Sequence, residues 1–111
     1  MLHEKLECYR ISVEVAGVIV SEIAKWPNGY GFLADQLRRA MSSVVLNAAE
    51  GNARVSTKER RRFFQISRAS LAEVSACVDL MKTFRLISAN GANELKVHLD
   101  RISRMIYGLC R

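Results

Sequence analysis

QLRRAMSSVVLNAAEGNARVSTKERRRFFQISR, residues 36–68, is the stretch that decides the fold. Its first half is the end of an amphipathic helix, and its second half opens another. Leu37, Ala40, Met41, Val44 and Ala48 fall on one stripe, each three or four residues from another of the set, the spacing of one buried helix face. Beside them runs a polar row, Arg39, Ser43, Asn47 and Glu50. Asn47 borders the apolar seam and needs hydrogen-bond partners, because an unpaired buried amide costs about 1–3 kcal/mol. Gly51 reads as the helix stop, since glycine enters the left-handed cap without steric penalty. Ser56-Thr57-Lys58-Glu59 then reads as a capping box, with Ser56 accepting from the N–H of Glu59 and Glu59 accepting from the N–H of Ser56.

Extended outward, this pattern gives four helices. The second covers about Phe32–Glu50, with Leu33 added to its stripe. The third covers about Thr57–Phe84, with Phe63, Ile66, Ser70, Val74, Cys77, Met81 and Phe84 as its seam. Glu73 falls among Ile66, Cys77 and Leu80, so it calls for a partner, Arg39 or Arg54. Ahead of these, Leu6–Lys25 is helical with two apolar sets. Leu6, Tyr9, Val13, Ala16, Val20 and Ile23 form the seam, while Ile11, Val15, Val18 and Ile19 point nearly the opposite way. A helix so widely apolar is either sandwiched within the bundle or covered by another subunit. Trp26–Gly31 breaks the chain, through Pro27 and the turn pair Asn28-Gly29. Ser88–Asn93 is the last break, with Ser88 or Asn90 as N-cap. The fourth helix, about Ala92–Leu109, carries Leu95, Leu99, Ile102, Ile106 and Leu109 as a clean seam. Short connections make an all-α, antiparallel up-down four-helix bundle the simplest arrangement. The 111 residues suffice for one such domain over residues 1–111.

Charge is concentrated in the same stretch. Seventeen basic residues against eleven acids give +6. Residues 38–68 hold eight cations, Arg38, Arg39, Arg54, Lys58, Arg60, Arg61, Arg62 and Arg68, against Glu50 and Glu59, and the other 80 residues balance. The excess is placed near one end of the bundle. Cations in the first turns of a helix oppose its dipole, so their clustering points to another use. A collar of this kind suits phosphate contacts better than base readout. A solvated face, or pairing with acids of a neighbouring subunit, would account for it more plainly. The collar's aromatics are Phe63 and Phe64, with Phe63 read as core, which leaves little surface for stacking bases.

Several function classes find no support. Histidine occurs only as His3, in a terminus expected to fray, and His98. No Glu-x-x-His pair supports a di-metal bundle, and Glu94 with His98 reads as a surface pair. No glycine-rich phosphate loop or catalytic triad is present. Catalytic residues, metal ligands and cofactors are therefore expected to be none. Cys8, Cys77 and Cys110 read as buried free thiols of a reducing cytosol. No signal peptide or membrane span is legible, which makes a soluble, cytoplasmic protein the expectation.

The residues Gln36-Leu37-Arg38-Arg39-Ala40, Ser43-Val44, Asn47-x-x-Glu50-Gly51 with Arg54, Ser56-x-Lys58-Glu59, Phe63 and Ser70-Leu71-x-Glu73 resemble one family. It is the family of four-helix-bundle proteins encoded in intervening sequences of bacterial 23S ribosomal RNA genes. The similarity extends over nearly the whole chain, with Pro27 after the first helix and Tyr107-Gly108-Leu109 near the end. Ala48 departs from a usual isoleucine, and Ala69 from a usual glycine. The resemblance implies a left-handed bundle assembled as a ring-shaped homopentamer, which would cover the second apolar face of the first helix. It also implies a relation to reverse-transcriptase accessory proteins that bind nucleic acid, and it does not imply a catalytic activity. Its signature falls on Asn47, Glu50, Gly51, Arg54 and Glu73, read here as the polar corner between helices two and three. Two functions follow as expectations. One is a non-enzymatic, oligomeric protein binding RNA or DNA through its basic end. The alternative is an accessory module docking an acidic protein partner.

Overall fold

A computed structural model describes residues 2–111. Four helices follow in order: α1 (Leu2–Ile23), α2 (Gly31–Ala53), α3 (Thr57–Thr83) and α4 (Ala89–Leu109). Each packs on two neighbours, α1 and α3 both lying against α2 and α4, in a bundle of 45 × 23 × 18 Å. Residue pairs across α2 and α3 run in opposite senses. Ser43 meets Ser70, and further along α2 Gly51 lies against Phe64, further back on α3. The α3–α4 pair is antiparallel in the same way, joining Ser75 to Lys96, Arg68 to Ser103 and Arg61 to Cys110.

The predicted stripes of α2 and α4 are buried as read: Leu33, Leu37, Ala40, Met41, Val44 and Ala48, and Leu95, Leu99, Ile102, Ile106 and Leu109. In α1 the two apolar sets exchange roles except at Ile23, which is buried as read, and Val18, which is exposed. Ile11, Val15 and Ile19 face the core with Cys8, Ser12 and Ile23. The expected seam is instead largely in solvent, with Leu6 59% and Val20 55% exposed. Ser12 hides the true face in the sequence. It is fully buried, and its hydroxyl donates to the Cys8 carbonyl at 2.8 Å, so its polarity costs little inside. The core face of α3 is Phe64, Ser67, Leu71, Val74, Cys77, Val78 and Met81, so Val74, Cys77 and Met81 of the expected seam are buried as read while its start is displaced. Phe63 is only half-buried, and Ile66 and Phe84 are exposed. Ser67 is the disguised residue here, buried and donating to the Val44 carbonyl at 2.7 Å.

Gly51 does not end α2. It lies inside the helix, which continues to Ala53. A Cβ there would come within 2.6 Å of the Phe64 ring, so glycine is required by close packing rather than by a left-handed cap. Ser56 caps α3 by accepting from the N–H of Glu59, while the Glu59 carboxylate lies 3.7 Å from Arg62. Ser88, not Asn90, caps α4, accepting from the N–H of Gly91 at 3.0 Å. His3, expected to fray, lies within α1.

Candidate nucleic-acid interface

α2 ends and α3 begins at one end of the bundle, and the guanidinium of Arg61 brings the end of α4 there too. Its Nε donates to the Cys110 carbonyl at 2.7 Å, a cation on the exposed carbonyls of a helix C-terminus. Arg54, Lys58, Arg60, Arg61 and Arg62 surround this corner. Arg54 pairs with Glu50 and Arg62 with Glu59, both within one helix and largely exposed. Such pairs contribute at most about 1 kcal/mol and leave the cations available. Lys58 and Arg60 have no ionic partner among the described residues.

Three of the eight predicted cations, Arg38, Arg39 and Arg68, lie elsewhere. Arg38 and Arg39 precede Arg54 on α2 by roughly 22–24 Å at 1.5 Å per residue. They sit part-way down the bundle, so the expected concentration at one end holds for only part of the set. Arg38 pairs with Asp35 at 3.4 Å and borders an apolar groove between α1 and α2. Arg39 is exposed and has no partner among the described residues. Arg68 lies about 16 Å along α3 from its start and turns toward α4, donating to Ser103 Oγ at 3.3 Å.

The cations are fixed in place by rings. The guanidinium carbons of Arg54 and Arg62 lie 4.9 and 5.1 Å from the centre of the Phe63 ring. Those of Arg68 and Arg111 lie 4.8 and 5.4 Å from that of Tyr107. Phe63, expected in the core, is therefore a support for arginines, each contact worth about 0.5–1 kcal/mol at an exposed site. Tyr107 and Arg111 escaped the sequence reading because they lie far along the chain from residues 38–68. The signal was present in the hairpin register, which folds the end of α4 back onto the start of α3. Cys110 lies between these cations. Burial raises its thiol pKa, and Arg68 and Arg61 oppose the rise.

The predicted signature residues are not one polar corner. Asn47 donates to the Ser43 carbonyl at 2.9 Å and to Ser43 Oγ at 3.0 Å, and Ser43 meets Ser70 across the α2–α3 seam at 2.6 Å. This supplies the partners that its position on the seam requires. Glu73 is exposed and takes a hydrogen bond from Gln36, not from Arg39 or Arg54. Glu50 and Arg54 pair at the end of α2, and Gly51 packs on Phe64. Among the described residues no group of three or more potential ligands could hold a metal ion. No helix there is long and apolar enough to cross a membrane.

A family model described as 23S rRNA-intervening sequence protein matches residues 4–108. The chain belongs to the 23S rRNA-intervening sequence protein family. A search of curated proteins finds no match. For this family member the match runs from the first turn of α1 to the last turn of α4, so all four helices and the arginine-rich corner fall inside it.

Proposed function

We propose that the chain is a non-enzymatic, oligomeric, cytoplasmic protein that binds the phosphate backbone of RNA or DNA through its basic end. One observation carries this: cations at the α2–α3 corner outnumber the carboxylates there, and Arg54 and Arg62 of that corner stack on Phe63, with Arg68 and Arg111 on Tyr107 beside it. Cations already ordered lose little side-chain entropy when a polyanion arrives. Filter binding against salt concentration tests it. Each phosphate neutralised contributes about 0.9 to the logarithmic salt slope. Lys58→Glu with Arg62→Glu should lower that slope by about 2 and weaken binding at every sequence alike. An unchanged slope would refute the assignment. Arg61 is left alone in this variant because it also caps α4.

The apolar outer face of α1 supports assembly. Val13, Ala16 and Val20 meet Met41, Val45 and Leu46 of α2 in an open groove of about 400 Å³. A ring-shaped homopentamer, as the family resemblance implies, would bury this face. A closed ring needs a second, different surface, and Ile66, Leu80 and Phe84 of α3 are exposed. Light scattering should give a multiple of 12.5 kDa, and Val13→Glu with Val20→Glu should give the monomer.

The second reading, an accessory module docking an acidic protein partner, is favoured by one feature. Phe63 is half-buried and lies under both Arg54 and Arg62, and so offers little open face to bases. A pull-down that survives nuclease treatment would support it.

A further inference from the structure

Between α3 and α4 lies an open groove of about 680 Å³, beside the Arg68–Tyr107 stack. It exists because the residues along its α3 rim, Ala69, Ala72 and Ser75, are small. Its floor is apolar, from Leu71 and Leu99, which are buried beneath it. Each end is crossed by a cation. Arg68 reaches Ser103, and Lys96 donates to the Ser75 hydroxyl at 2.9 Å and pairs with Asp79 at 2.8 Å. Arg68 and Ser75 stand about 10 Å apart along the helix. Gln65 and Asp100 stand on the rim, and Asp100 is tied to Arg104 at 2.7 Å.

An apolar floor with a cation at either end suits a flat apolar body carrying an anion on each side. A nucleobase between its two flanking phosphates has that form. We infer that this groove takes an unpaired base of a single-stranded nucleic acid, with Arg68 and Lys96 toward the flanking phosphates. Gln65 offers both donor and acceptor to a base edge, and the Asp100 carboxylate accepts from an exocyclic amino group. A base paired and stacked inside a duplex cannot reach the floor, so the groove selects for single strands. The inference rests on the nucleic-acid reading above and deepens it: the corner arginines supply affinity and the groove supplies strand preference.

Fluorescence anisotropy with a labelled unstructured RNA dodecamer, and with the same strand in a duplex, tests this at one fixed salt concentration. The single strand should bind about tenfold tighter than the duplex. Ala72→Leu fills the groove at an exposed helical position without adding a stacking ring. It should remove that tenfold preference while leaving duplex affinity and the salt slope unchanged. Ala69→Leu, on the same rim, should do the same, and circular dichroism checks that both variants fold. Equal binding of the two forms, or a preference untouched by both variants, overturns the groove assignment while the salt-slope test still stands. Binding of neither form overturns both, and a groove found to hold a protein segment in cross-linking overturns the groove assignment alone.

Discussion

The two ends of the bundle carry aromatic rings in different company. At the end where α2 meets α3, Phe63 and Tyr107 are overlaid by arginines. At the other end Tyr30, Phe32 and Phe84 contact one another, with ring centres 5.9–6.5 Å apart, and Phe32 is 64% exposed. The corners differ as well. The basic corner is packed to contact, Gly51 against Phe64. The last turn of α3 is closed by Arg85 in the left-handed region, at φ 60°. A cluster of cations is thus mounted on dense packing, whereas the opposite end tolerates open rings and local strain.

The largest test of that contrast removes the packing beneath the cations. Phe64 is fully buried under the corner. Phe64→Ala should cost about 3–5 kcal/mol in urea unfolding. Phe32→Ala, at the other end, should cost under about 1 kcal/mol because the ring already meets water. Equal costs would erase the distinction between a packed end and an open one.

The thiols give the next test. Cys8 is buried in the core shared by both ends, and burial pushes its pKa up to about 11. A free thiol in the unfolded chain ionises near 8.5. The folded state keeps the proton that the unfolded state loses, so this stabilisation is complete below about pH 8.5 and is lost as pH rises toward 11. The loss should approach about 2–3 kcal/mol. The part due to this thiol should vanish in Cys8→Ala when stability is followed from pH 8 to 11. Cys110 lies against Arg61 and Arg68, which oppose the effect of burial. Cys110 is half-buried while Cys8 is 1% exposed, so a thiol reagent should modify Cys110 before Cys8, and the reverse order would remove the contrast in access between them.

Gly51→Ala is a finer probe of the same corner. Alanine gains up to about 1 kcal/mol of helix propensity, and overpacking against Phe64 costs about 1–3. A net loss of about 1–2 kcal/mol is expected. In the Phe64→Leu background the added methyl has room, and Gly51→Ala should become neutral or stabilising. A cycle with no coupling would show that the ring does not dictate the glycine.

How much of this was legible in the sequence varied by helix, for a physical reason. α2 and α4 announced their core faces because every buried position there is apolar. α1 and α3 each place a serine at the centre of the buried face, Ser12 and Ser67. Each hydroxyl is satisfied by a carbonyl, so the polar residue costs little inside, yet it breaks the apolar period by which a seam is recognised. The eye then moves to the neighbouring apolar stripe, which in α1 is the exposed one. Arg54, Lys58, Arg60, Arg61 and Arg62 could be placed because they lie close together in sequence around one corner. Tyr107, Arg111 and the small-residue rim of the α3–α4 groove could not, since they become neighbours only through the antiparallel register.

The smallest expected effect belongs to the strained corner. Leu86 N–H donates to the Met81 carbonyl at 2.8 Å and Arg85 N–H to the Lys82 carbonyl at 3.0 Å, the paired bonds of a helix-ending turn that places one residue in the left-handed region. Glycine is usual at that position, and a residue with a Cβ is strained there by about 1 kcal/mol. The Arg85 side chain is exposed and makes no ionic contact among the described residues, so little is lost by removing it. Arg85→Gly should stabilise the fold by about 0.5–1 kcal/mol, even though Gly is the more flexible residue in the unfolded chain. The same substitution at Arg61, which has ordinary helical geometry and caps α4, should destabilise. Opposite signs in thermal unfolding would confirm that strain is confined to one end. A destabilising Arg85→Gly would mean that the arginine makes a contact in solution that outweighs its backbone cost.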